Sequence, residues 1–163
     1  MEPTPTPSAP KIPASQQEAH DTVLQYLQKT VDGLPPGTTL DTTQAGGGSN
    51  LSCDDDYQGP GSGPTDYTVT TYVIGPAGLA PADLISKTGD LWRSWGLSVM
   101  ERNGFEKPNQ FGYPPDGYSL LIQAAYPPEY PPSLAVISPC FPGNLRKDGI
   151  PIPDIIHQSN PAN

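Results

Sequence analysis

Twenty-three prolines in 163 residues decide where this chain can and cannot be regular. Proline lacks the N–H that a helix interior or a central strand needs, so regular elements must fit into the gaps between prolines. With 17 glycines beside them, the chain approaches the composition of a low-complexity segment. Val, Ile, Leu and aromatic residues nevertheless gather in separate runs, which disordered chains lack. The expectation is one small core with long, proline-decorated loops and tails, since this length holds a single domain.

The gaps between prolines carry legible periods. Residues 1–14 alternate Pro with Thr, Ser and Ala; nothing there can be buried, so the segment reads as an extended spacer, either a frayed terminus or a stalk. Ser15 and Glu18 form an S-x-x-E capping box, and Ala19, Val23, Leu24, Leu27 and Val31 succeed it at helical spacing. Gly33 is expected as a left-handed cap, and Pro35 and Pro36 forbid continuation. "GTTLDTTQ" is a possible short strand, followed by the flexible "AGGGSN". "YTVTTYVIG" alternates as a half-buried strand. "LAPADLISKTGDLWRSWG" is a second helix with Pro81 in its first turn, an apolar face from Leu84 to Trp95, and Gly96 at its end. Gly89 weakens that helix but permits close packing on a sheet. "LSVMER", "YSLLIQAAY" and "SLAVISPCF" read as three more strands. Short links favour an antiparallel meander, and two one-faced helices need one side of it. The fold class expected is therefore α+β: a two-layer sandwich of four to five mainly antiparallel strands with two helices on one face. The domain spans 15–145, and 146–163 form an irregular tail partly packed down through Ile150, Ile152, Ile155 and Ile156.

Charge and cysteine usage narrow the function. A formal charge of −9 argues against nucleic acid and anionic membrane surfaces, which are bound through cations. No run of about 20 apolar residues is present to span a bilayer, and Met1 leads straight into "EPTPTPSAPKIPAS" without a signal peptide. Cys53 and Cys140 belong to no Cys-x-x-Cys motif, and with His20 and His157 they cannot complete a usual zinc site. Two readings are open: a structural disulfide in an exported protein, or two buried thiols in a cytosolic one. The even count and the low apolar content favour the first.

Chemistry-bearing motifs are sparse, and no cofactor is expected. Asp54, Asp55 and Asp56 lack the alternating spacing of a calcium loop and read as a solvated turn. "GPGSGP" has neither the lysine nor the helix of a phosphate loop, and Ser62 lacks a nucleophile elbow. His20 reads as an exposed helical residue. Glu101 with Glu106, or Asp116 with Glu129, are the candidate carboxylate pairs for glycoside hydrolysis. Trp92 and Trp95 read as core, with a sugar or peptide platform as the alternative. Asn50-Leu-Ser52 matches a glycosylation acceptor, a common tripeptide.

The Tyr-Pro-Pro repeats at Tyr113 and Tyr126, with a near-copy at Tyr130, each abut a strand end. Proline blocks further pairing there, so the repeats read as punctuation rather than as a ligand for an SH3 or WW domain. Residues 126–133 form the loop of a wide hairpin. Tyr113, Tyr126 and Tyr130 are expected to cluster at one end or edge of the sheet, where rigidly held tyrosines make good binding anchors.

From Cys53 onward the chain resembles the small mycobacterial lipoproteins of the LppA kind. The matching features are Cys53 followed by an acidic residue, "TYVIG", the helix "LAPADLISKTGDLWRSWGL", "DGYSLLIQ", and a closing strand ending "PCF". The chain departs from that family in lacking the signal peptide and the lipidated cysteine, while its Thr-Pro stalk is the kind of segment expected next to such an anchor. The resemblance implies an exported, lipid-anchored α+β domain with a Cys53–Cys140 bridge and no assigned catalytic residues; a monomer is expected. Its expected role is non-enzymatic: binding an envelope protein, with superinfection exclusion if the gene is phage-borne. An apolar-ligand carrier and an envelope glycan or peptide hydrolase are the alternatives.

Overall fold

The computed structural model describes residues 3–159. Its elements run α1 (Gln16–Asp32), β1 (Thr39–Asp41), β2 (Gly48–Ser49), β3 (Thr68–Ile74), α2 (Pro81–Ser94), β4 (Ser98–Met100), β5 (Asn109–Tyr113), β6 (Ser119–Gln123), β7 (Ser133–Ile137) and β8 (Ile155–Ile156). All strands join one antiparallel sheet of eight, ordered β4-β5-β6-β7-β3-β1-β8, with β2 pairing β3 beside that line. The class is α+β as the sequence implied. The strand count exceeds the expected four to five because β2 and β8 are two residues each, too short to show a period of two, and because β5 lies in the stretch "NGFEKPNQFGYPPDG", whose glycines and prolines read as turn.

Both helices lie on one face. α1 buries Ala19, Val23, Leu27 and Val31 against β3 and β7, and α2 buries Leu84, Ile85 and Trp92 against β4, β5 and β6. The facing strand residues alternate as the pleat requires: Val69, Thr71 and Val73 on β3, Leu134 and Val136 on β7, Leu120 and Ile122 on β6. Thr71 tolerates full burial because its hydroxyl donates to the Leu134 carbonyl. Glycine sets the approach of α2. A Cβ at Gly89 would meet the Gln110 side chain at 2.8 Å, and one at Gly112 would meet the Trp92 ring at 2.9 Å.

The helix ends match the sequence in part. Ser15 caps α1 by accepting the Glu18 N–H at 3.0 Å. Gly33 is right-handed, with φ −91°, not the left-handed cap expected. The Gly33 and Leu34 N–H groups close the end of α1 onto the Thr30 and Val31 carbonyls, and the turn that follows is held from far along the chain. The Gln158 side-chain amide donates to the Val31, Leu34 and Pro35 carbonyls and accepts the Gly37 N–H. Ser159 closes the same clip on Asp32. Residues 155–159 thus form an ordered strap, with β8 an edge strand on β1. The N-terminal segment is also held: Ala9 and Lys11 donate their N–H groups to the Pro115 and Asp116 carbonyls of the β5–β6 turn.

Cys53 and Cys140 are disulfide-bonded, with Cα atoms 6.3 Å apart and a separation of 87 positions in sequence. The bridge ties the glycine-proline loop of residues 51–64 to the end of β7. Thr65 and Phe141 exchange backbone hydrogen bonds beside it.

Candidate functional site

One face of the sheet is covered by no helix, and its two ends are finished differently. At the β4–β5 end the chain covers itself. Arg102 is buried and lays its guanidinium 5.5 Å from the Phe111 ring centroid and 5.3 Å from that of Tyr113. Its Nε donates to the Tyr113 hydroxyl at 2.6 Å, and Nη2 donates to Thr4 of the N-terminal segment. Phe105 meets Phe111 edge-on at 4.8 Å. Tyr113 is therefore a structural anchor for Arg102.

At the other end lies an open groove of about 530 Å³. Its floor is the outward row of the sheet: Asp41 from β1, Tyr72 and Ile74 from β3, Gln123 from β6 and Ser133 from β7. Its walls are Tyr126 and Tyr130 from the β6–β7 loop, Glu106 from the β4–β5 loop, and Gln44. Tyr126 is 84% exposed and Tyr130 58%. The loop that carries them is pinned at both ends, since Ala124 N–H donates to the Pro108 carbonyl and Val73 N–H to that of Pro132. Asp41 accepts both the N–H and the hydroxyl of Thr43 on Oδ1, which holds its carboxyl below the usual carboxylate value. It stays ionised at neutral pH.

The remaining candidates disperse. Tyr113 closes β5 at the opposite end from Tyr126 and Tyr130, so the three tyrosines do not form one cluster. Asp116 sits in the β5–β6 turn and Glu129 in the β6–β7 loop, at opposite ends of β6. Asp116 accepts the Tyr26 hydroxyl; burial, and then this carboxylate, raise the pKa of that phenol. Glu101 accepts the Asn109 N–H and lies 3.8 Å from Lys107, while Glu106 reaches the groove. Asp54 ties back to the Asp56 N–H in an exposed turn. Among the described residues no cluster of three or more His, Cys, Asp and Glu side chains is placed to hold a metal ion.

His20 is 5% exposed, not the surface residue expected. Nε2 lies 2.9 Å from the Pro151 carbonyl and Nδ1 2.9 Å from the Asp21 carboxylate, so the ring joins α1 to the C-terminal segment. Nothing near it in sequence signals this, because Pro151 is 131 residues away. Trp92 is fully buried and donates from Nε1 to Thr30 Oγ1. Trp95 is half-buried beneath the Lys29 ammonium, 4.2 Å from its ring centroid. With Leu27, Ile122 and Leu134, Trp92 fills the layer between helices and sheet where an apolar cargo would have to lie.

No family model, no curated protein and no solved structure matches this chain.

Proposed function

We propose that this chain is the folded domain of an exported, lipid-tethered envelope protein that works by binding, and that the groove at the β6–β7 loop end is its binding surface. The observation that carries this reading is the pair Tyr126 and Tyr130. Two large amphipathic side chains stand in solvent on a pinned loop, where folding gains nothing from them and a partner would. The disulfide supports an oxidising compartment. The resemblance to LppA-type lipoproteins supports the anchor; the Pro/Thr segment, docked on the β5–β6 turn through Ala9 and Lys11, would hold that anchor beside the domain rather than at the end of a free stalk. The partner on this reading is another protein of the cell envelope.

The test begins with immobilised protein and a mycobacterial envelope extract, identifies the retained protein, and then uses that partner purified. Wild type and a Tyr126→Ala/Tyr130→Ala variant are compared for affinity and thermal stability. A loss of about tenfold or more in affinity with an unchanged Tm supports the groove, given the weight that central aromatic residues carry in interfaces. Equal affinity overturns it. The anchor is tested separately by the codons upstream of Met1, which should encode a signal peptide ending in a cysteine.

A further inference from the structure

The groove's lining is chemically one-sided. Tyr72, Tyr126 and Tyr130 contribute aromatic rings to the lining, and Asp41 and Glu106 contribute carboxylates. Gln44 and Gln123 add amide carbonyls, and no Lys, Arg or His is among the residues that line it. The same sheet face shows how such a surface behaves when a cation reaches it. At the β4–β5 end, Phe111 and Tyr113 present their rings outward, and Arg102 covers both while hydrogen-bonding the tyrosine. That end is complete. The groove end repeats the aromatic half of this arrangement, adds two carboxylates, and has no arginine in its own lining.

Resting on the reading that the groove is the binding site, we infer that its occupant is a basic side chain, arginine or lysine, presented by an extended segment of a partner protein. A guanidinium or ammonium over a tyrosine face gains from the ring quadrupole. A carboxylate beside it adds a charge-assisted hydrogen bond, bidentate for arginine. The apolar stem of either residue covers Ile74, which is 40% exposed on the groove floor. The chain's formal charge of −9 draws a basic segment in from a distance. Asp41 remains charged throughout the neutral range because Thr43 holds its carboxyl low.

Isotope-labelled full chain is titrated with three blocked pentapeptides, Gly-Ser-Xaa-Ser-Gly, where Xaa is arginine, lysine or neutral citrulline, and separately with an uncharged N-acetylglucosamine tetramer. The expected result is that the arginine peptide shifts the amides of Asp41, Tyr72 and residues 123–133. The citrulline peptide should bind about tenfold more weakly, the loss expected from removing one favourable cation contact. Asp41→Asn with Glu106→Gln should abolish that difference, with the amide spectrum outside the groove unchanged to show that the variant is folded. Equal binding of arginine and citrulline peptides at these amides overturns the cation inference and leaves the groove standing as a site. Shifts by the sugar alone overturn it in favour of a neutral glycan. Shifts elsewhere, or none with either basic peptide, also overturn it; the groove reading is then decided by the tyrosine variants and the purified partner.

Discussion

Two glycines on opposite sides of one contact behave differently because of the side chains that stand against them. Gly112 faces the Trp92 ring, a fully buried aromatic whose Nε1 is already committed to Thr30. Gly112→Ala must push that ring, and overpacking of this kind costs about 1–3 kcal/mol. Gly89 faces the middle and end of the Gln110 side chain, which is only half-buried and can swing aside. Gly89→Ala regains about 1 kcal/mol of helix propensity, which offsets the displaced Gln110–Arg93 contact. Urea denaturation should therefore show a clear loss for the first variant and little change for the second. Asp32 makes a pH prediction at the same scale. Burial works against its ionised form, but hydrogen bonds from the Ser159 N–H and hydroxyl and from Gln28 outweigh that and hold its carboxyl below 3.8. A depressed folded-state value contributes stability that is complete above the unfolded value and is lost as pH falls through the folded one. The stability difference between wild type and Asp32→Asn should accordingly be constant from pH 5 to 7 and shrink in acid below about pH 4.

At the scale of elements, the disulfide carries the clearest expectation. It closes a loop of 87 residues that contains β3, both strands of the β5–β6 hairpin, α2 and β7. In the chain-entropy account, closing such a loop constrains the unfolded chain by about 4–5 kcal/mol, an upper value. Cys53→Ser with Cys140→Ser should lower the urea midpoint and raise the m-value, because the unfolded chain without its crosslink exposes more surface, while the Thr65–Phe141 backbone pair still holds the segments together when folded. Length decides which elements are visible in the sequence. α1, α2, β3, β6 and β7 are long enough for a period of 3.6 or 2 to repeat, and each is legible. β2 and β8 hold two residues each and are defined by their partners, Thr68–Val69 and Leu40–Asp41. The clip of Gln158 on the end of α1 spans more than 120 residues, so no local pattern contains it. The candidate site divides in the same way. Tyr126 and Tyr130 announce themselves beside prolines, whereas Asp41 and Glu106 become neighbours of that loop only through the strand order β6-β7-β3-β1 and the fold of the β4–β5 loop. Tyr113 shares the Tyr-Pro-Pro signature and yet lies at the other end, because consecutive antiparallel strands place alternate turns at opposite ends of a sheet.

At the scale of the whole molecule, the question is whether the open sheet face draws a second copy of the chain. Three features oppose it. The sheet edges are a strand of three residues and one of two, short enough to blunt edge-to-edge pairing. The β4–β5 half of the open face is already covered by Arg102 and Phe105. The remaining half is the acidic groove, and a copy of −9 charge facing another repels it where its lining would need a cation. Sedimentation velocity at pH 7 and moderate salt should therefore give one species of 17.3 kDa. Repulsion vanishes near the sequence pI of about 4.3, so association should appear there and retreat as pH rises. Tyr126→Ala with Tyr130→Ala separates the causes: if charge alone governs, the variant tracks the same pH course as wild type. A dimer at pH 7 that these substitutions dissolve would instead make the groove a self-interface, and the basic partner would have to compete with a second copy for the same tyrosines.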